Sequence, residues 1–126
     1  MHLTLNKECA FIATNEDSTF PLSGFTSPGA GALLSVLKTS TKKTPVVIGK
    51  PHKTLFECIS AAYDLDKSRT IMVGDRLDTD IQFGINSGVD TLLVFTGVSS
   101  EDDARDEKHA QATFAISSFG EISKLA

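Results

Sequence analysis

The chain has 126 residues, 40% of them hydrophobic and 22% charged, and a formal net charge of −4. That length sets one domain or a piece of one, able to bury roughly two-thirds of its unfolded surface in a single core. With no basic run beyond Lys42-Lys43 and no apolar stretch near the ~18 residues of a membrane span, it excludes a broad nucleic-acid-binding face and a transmembrane helix. Residues 1–8 hold no continuous apolar segment of the signal-peptide kind. Cys9 and Cys58 belong to no CxxC pair, so both are expected as buried free thiols of a cytoplasmic protein, a disulfide or a nucleophilic role being the alternatives.

In chain order, Cys9-Ala-Phe-Ile-Ala-Thr14 is expected as a buried strand. Residues 15–27 are polar, carry Pro21 and Gly24, and are expected as a loop. Pro28 suits a first helical position with Ser27 as its cap. Ala30, Leu33, Leu34 and Leu37 then recur at helical spacing. Thr39 to Pro45 is a polar connector and the best internal boundary. Val46-Val47-Ile48 is a short strand that stops at Gly49, and Leu55, Phe56, Ile59, Ala62 and Tyr63 share one helical face. Thr70 to Val73 is the next strand. The helix that follows runs through Ile81 and Ile85 and ends near Gly88, a natural C-cap. Thr91 to Phe95 and Thr113 to Ile116 are further strands. Ser100 heads a short acidic helix, and Ser118-Phe-Gly-Glu121 fits a capping box for the last one.

Strands alternating with helices predict an α/β fold, a Rossmann-like parallel sheet with flanking helices and right-handed crossovers. In a parallel sheet the loops that follow the strands share one rim. The segments Gly49-Lys50-Pro51, Gly74 to Asp80 and Thr96-Gly-Val-Ser99 are therefore expected together, so that Lys50, Asp75 and Asp80 converge although they are spread over thirty residues.

The stretch Val73-Gly-Asp-Arg-Leu-Asp-Thr-Asp80 carries the chemistry. A strand that stops at Gly-Asp puts the Asp75 carboxylate at the carboxyl edge of the sheet, where open α/β folds bind ligands. A hard cation such as Mg²⁺ wants oxygen ligands of this kind, with phosphate oxygens and waters completing the shell. A lysine on the same rim suits an anion. Structural alternatives stand beside these roles. Asp78 is placed to cap a helix starting near Thr79, and Asp80 lies in its first turn, where the dipole favours negative charge. His52 and His109 have no partner at metal-ligand spacing and are expected on the surface. Ser18, Ser99 and Ser100 lack the strand–GxSxG–helix setting of a hydrolase nucleophile. Gly29-Ala-Gly31 is too small for a dinucleotide fingerprint.

Gly49-Lys-Pro51 followed by Gly74-Asp-Arg-Leu-Asp-Thr-Asp80 resembles the third and fourth motifs of the haloacid dehalogenase-like (HAD) phosphatases. The closer similarity is to the subclass containing 4-nitrophenyl, phosphoglycolate and pyridoxal phosphate phosphatases. Phe11-Ile-Ala-Thr-Asn-Glu-Asp17, Pro28-Gly-Ala-Gly31 and Thr96-Gly-Val-Ser99 resemble that subclass in the same order, so the likeness runs from Cys9 to Leu125. It implies a Rossmann-like core with an inserted α/β cap, residues 1–44 being the last part of the cap and 45–126 the last part of the core. It implies that Lys50 neutralises the phosphate and the nucleophile, and that Asp75 binds Mg²⁺. Asp80 would support that site, as a ligand or from behind one. Asn15 and Asp17 would face a small phosphorylated metabolite.

The family also uses an Asp-x-Asp-Gly-Thr motif whose first Asp becomes an aspartyl-phosphate and whose second is the general acid/base. No such motif occurs in the 126 residues. Asp64-Leu-Asp66 has the spacing but precedes a strand, which puts it on the opposite rim from Lys50 and Asp75. Asp78-Thr-Asp80 belongs to the fourth motif. Thr14-Asn15 could stand for the family's Ser/Thr motif, although the order of the later motifs favours the cap assignment. The resemblance thus implies the C-terminal half of such an enzyme. Exposed apolar faces and strand edges are then expected to drive homo-oligomerisation or association with a complementary fragment.

Overall fold

The computed structural model describes residues 8–124. These fall into two compact units that meet along the chain between Gly49 and Lys50.

In the first unit, β1 (Ile12–Ala13) pairs in parallel with β4 (Val46–Val47). The segment expected as a loop contains instead an antiparallel hairpin, β2 (Thr19–Leu22) with β3 (Phe25–Pro28). Its tight turn is at Ser23-Gly24, where Gly24 takes a φ of 82° that L residues rarely adopt. Pro28 is therefore the end of a strand, paired with Thr19, and not the start of a helix capped by Ser27. Helix α1 (Ala30–Thr41) begins after Gly29, and its first N–H groups find backbone acceptors. Gly29 N–H donates to the Ser18 carbonyl and Gly31 N–H to that of Asp17, at 2.9 Å each. Side chains at either glycine would run into the backbone of residues 16–19, so Pro-Gly-Ala-Gly is a close-packing motif.

Strand 46–48 is expected in one parallel sheet with the strands of residues 70–73 and 91–95. Its partner is β1, in a separate two-stranded sheet. The alternation of elements predicts that strands exist and leaves their neighbours open.

The second unit holds the parallel sheet, in the order β5 (Ile71–Gly74), β6 (Asp90–Val94), β7 (Phe114–Ile116). Around it run α2 (Thr54–Tyr63), α3 (Gln82–Ser87) and α4 (Glu101–Arg105). Strand β6 is central and the most buried, Leu93 completely so. Its register against β7 is fixed by Thr91 and Thr113, each backbone N–H donating to the other's hydroxyl at 3.1 and 2.9 Å. Ser100 caps α4 as expected, in a reciprocal box with Asp103. At the last turn (Phe119–Lys124) the arrangement differs from the box expected. The Ser118 hydroxyl accepts from Gly120 N–H, and Glu121 accepts from the Ser117 hydroxyl.

Two clusters make the core of this unit. Phe56, Phe83 and Val89 form one, with the two rings edge to face at 6.4 Å. Leu77, Ile81 and Leu93 form the other. The second decides the site, because Leu77 and Ile81 belong to the acidic segment itself and anchor it in the core. Cys9 and Cys58 are both free, as expected. Cys58 is exposed on α2 and Cys9 only half-buried, so neither is the core thiol the composition suggested. Among the described residues no helix is long and apolar enough to cross a membrane.

Candidate active site

β5 ends at Gly74, and the chain turns into a five-residue π-helical segment, Leu77–Ile81, before α3 continues to Ser87. The Arg76 carbonyl accepts from Asp80 N–H at 3.0 Å and Ile81 N–H at 3.1 Å, the latter an i→i+5 bond. Such turns are frequent at functional sites. Here the turn lets Leu77 and Ile81 point into the core while Asp80 turns back under the strand end.

Asp80 is 4% exposed and accepts three hydrogen bonds. Its Oδ2 takes the backbone N–H of Asp75 at 3.2 Å and of Arg76 at 3.1 Å, and its Oδ1 takes the Lys50 ammonium at 2.5 Å. A buried carboxylate needs partners of this number and charge. Gly74 makes the arrangement possible, since a Cβ there would occupy the space of the Asp80 side chain. Lys50 is held from the other side: Asn86 of α3 donates to the Pro51 carbonyl at 2.7 Å, across the turn that contains the cis Lys50–Pro51 peptide.

Asp75 is half-buried and engaged differently. Its Oδ2 accepts from Val98 N–H at 2.9 Å, while its Oδ1 takes no hydrogen bond among the described residues. Lys50, Asp75 and Asp80 are thus brought together within one unit. Asp80 is the fully engaged group of the three, and Asp75 keeps an open oxygen. Asp78 does not cap the helix. The turn begins at Leu77 with no side-chain cap, and Arg76 grips Asp78 through two parallel bonds, Nε to Oδ1 at 3.0 Å and Nη2 to Oδ2 at 2.8 Å. That guanidinium, chiefly through its hydrogen bonds, holds the Asp78 carboxyl below its ordinary value.

Asn15 and Asp17 lie in the first unit, after β1. The Asn15 side-chain oxygen accepts from Asp17 N–H at 3.2 Å, and both residues line a cavity of about 420 Å³ with Thr19, Phe20 and Leu33. Asp66 caps the turn before β5, at the opposite end of that strand from Asp75, as its position in the sequence implied. His52 and His109 are exposed as expected.

Among the described residues no group of three His, Cys, Asp or Glu side chains gathers to hold an ion. The donor set still fits a hard cation in part. Asp75 offers one unengaged carboxylate oxygen, and Asp80 beside it is braced by Lys50.

A parallel sheet with a lysine and two carboxylates beyond its carboxyl edge defines a class, and residues 47–122 match its description: the chain belongs to the HAD-hydrolase-like family. It is 39% identical over 110 residues to a glycerol-3-phosphate phosphatase of Gallus gallus, covering 86% of this chain and 35% of that protein. Among solved structures it is similar to the 4-nitrophenylphosphatase of Thermotoga maritima, at TM-score 0.84 and 34% identity over 95% of this chain and 46% of the other. It is also similar to a glycerol phosphate phosphatase of Mycobacterium tuberculosis in complex with magnesium, at TM-score 0.76 and 35% identity over 90% of this chain and 34% of that one. The chain therefore spans about a third of the length of the curated relatives it matches.

Two features of the site escaped the sequence reading. Arg76 gave no signal beyond lying between the two carboxylates. Ser99 is expected on the rim, within Thr96-Gly-Val-Ser99, but without a role of its own, whereas its hydroxyl accepts from Leu77 N–H at 3.2 Å.

Proposed function

We propose that this chain serves Mg²⁺-dependent hydrolysis of a small phosphomonoester, of the 4-nitrophenyl phosphatase type, in the cytoplasm. The observation that carries the reading is the convergence of Lys50, Asp80 and Asp75 beyond the end of β5. Asp75 would hold Mg²⁺ through its open oxygen. A bound Mg²⁺ neutralises charge on phosphoryl oxygens. Asp80 orients Lys50 and fixes the backbone on either side of Asp75, either as a second ligand or by bracing the first. Lys50 supplies positive charge toward the phosphate. Asn15 and Asp17 contribute to recognising the organic part of the substrate, as parts of a cap ending near residue 44, with the core following from 45.

The nucleophilic aspartate and the acid/base aspartate would come from polypeptide other than these 126 residues, in the same protein or in a complementary fragment. The test is hydrolysis of para-nitrophenyl phosphate with Mg²⁺ by the chain, alone and co-expressed with an Asp-x-Asp-Gly-Thr-bearing half, beside Asp75→Asn. Turnover lost in the variant supports the reading. A complex that forms without turnover overturns it.

A second reading has its own observation. On α1, Leu33 and Val36 are 74% and 65% exposed, and no residue of that helix is buried. Such a face suits a non-catalytic module that acts by association, with a copy of itself or with another fragment. Sedimentation of the pure chain as a monomer at tens of micromolar would count against it.

A further inference from the structure

We propose that Gly97, Val98 and Ser99 form a positioning loop for Asp75, fixing which of its two oxygens faces outward. The inference rests on the reading of Asp75 as the metal-binding carboxylate. An aspartate at a strand end has two side-chain torsions to settle, and its terminal one is broad and roughly two-fold. Nothing in β5 settles them. The loop after β6 does.

Val98 N–H donates to Asp75 Oδ2 at 2.9 Å, and the next amide, Ser99 N–H, donates to the Asp75 backbone carbonyl at 3.0 Å. Adjacent amides thus hold the main chain and the side chain of one residue. Gly97 lets the loop come that close, because a side chain there would stand where the Asp75 carboxylate stands. Ser99 fastens the loop to the core: its hydroxyl accepts from the N–H of Leu77, which is 3% exposed and packed against Leu93. The consequence is directional. With Oδ2 committed to Val98, Oδ1 is the oxygen left for a cation. Outer groups that orient a ligand in this way typically govern metal affinity by about 10–100-fold.

The test uses the full chain with Mn²⁺ as probe, its binding read by water-proton relaxation, and the Val98 amide proton shift read by NMR. The variants are Asp75→Asn, Gly97→Ala, Ser99→Ala and Ser99→Thr. The expected result has Asp75→Asn abolish binding and Gly97→Ala and Ser99→Ala weaken it about tenfold or more. Ser99→Thr, which keeps the hydroxyl, should stay near wild type. The Val98 amide should lie downfield in wild type and Ser99→Thr and move upfield in Asp75→Asn and Ser99→Ala. If Mn²⁺ binds in an Asp75-dependent way but Ser99→Ala matches wild type in both readouts, the positioning role is overturned and the metal reading stands. If wild type binds no Mn²⁺, the metal reading fails. The Val98 amide then decides on the loop alone, and a shift indifferent to Asp75→Asn and Ser99→Ala overturns it too.

Discussion

Asp75 and Asp80 sit five residues apart and have opposite dependences on the fold, so alanine substitutions should separate them. Asp80→Ala removes the acceptor of two backbone N–H groups and the partner of Lys50. Bonds to a charged acceptor are worth about 1.5–3 kcal/mol each. The two amides lie in a half-buried turn. Lys50, at 44% side-chain exposure, can turn to water, so its share is discounted to below about 1 kcal/mol. With each amide at the low end, about 1.5 kcal/mol, because the turn is only half-buried, the sum is about 3–4 kcal/mol. Asp75→Ala removes one bond, from Val98, whose amide lies in an exposed loop where water can replace the acceptor, for about 1 kcal/mol. A gap of about 2 kcal/mol is on the order of a thirtyfold difference in exchange rate for the amides of β5 and β6, measured by native-state hydrogen exchange. Exchange reads this unit without requiring the whole chain to unfold as one. Equal acceleration in the two variants would refute the assignment of Asp80 as the structural carboxylate and Asp75 as the available one.

Gly74→Ala should destabilise the same unit by about 2–3 kcal/mol, since its methyl group must displace the Asp80 side chain; thermal unfolding measures this. Asp78→Asn should cost no more than about 1 kcal/mol at pH 7, because the Asp78 side chain is 66% exposed. The native Asp78 carboxyl is held below its ordinary 3.8 by Arg76, so its stabilisation is complete above that value and fades as pH falls through the lower native one. Urea midpoints of wild type and Asp78→Asn should therefore converge below pH 3.8. Under the proposed function, Mg²⁺ at a hundred times its Kd should stabilise the chain by about 2.7 kcal/mol, and the gain should vanish in Asp75→Asn, a comparison that paired melting curves supply.

The second unit was legible in the sequence because each element there carries its own signal. Apolar runs end at Gly74 and Phe95, Gly88 closes a helix, and Ser100 heads one. The convergence of Lys50, Asp75 and Asp80 followed from the rule that strand ends share a rim, although β4 proved to belong to another sheet. The first unit was harder. Pro21, Gly24 and Pro28 look like loop residues, yet an edge strand tolerates proline, and Ser23-Gly24 is itself a hairpin-turn signal. The bonds that shape the site lay out of reach. The Val98 amide and the Ser99 hydroxyl act through contacts formed when β5 and β6 come side by side. Spacing along one segment does not encode them.

The π-helical turn at Leu77–Ile81 sets a phase. An ordinary α-helix advances about 100° per residue, and one extra residue in a turn swings everything before it by that angle relative to everything after. Removing a single residue between Arg76 and Asp80 would therefore leave a smoother helix and a ruined site. Either Leu77 would leave the core or Asp80 would face away from Lys50. The length of the insert is what allows one short segment to obey both the hydrophobic interior and the charged rim.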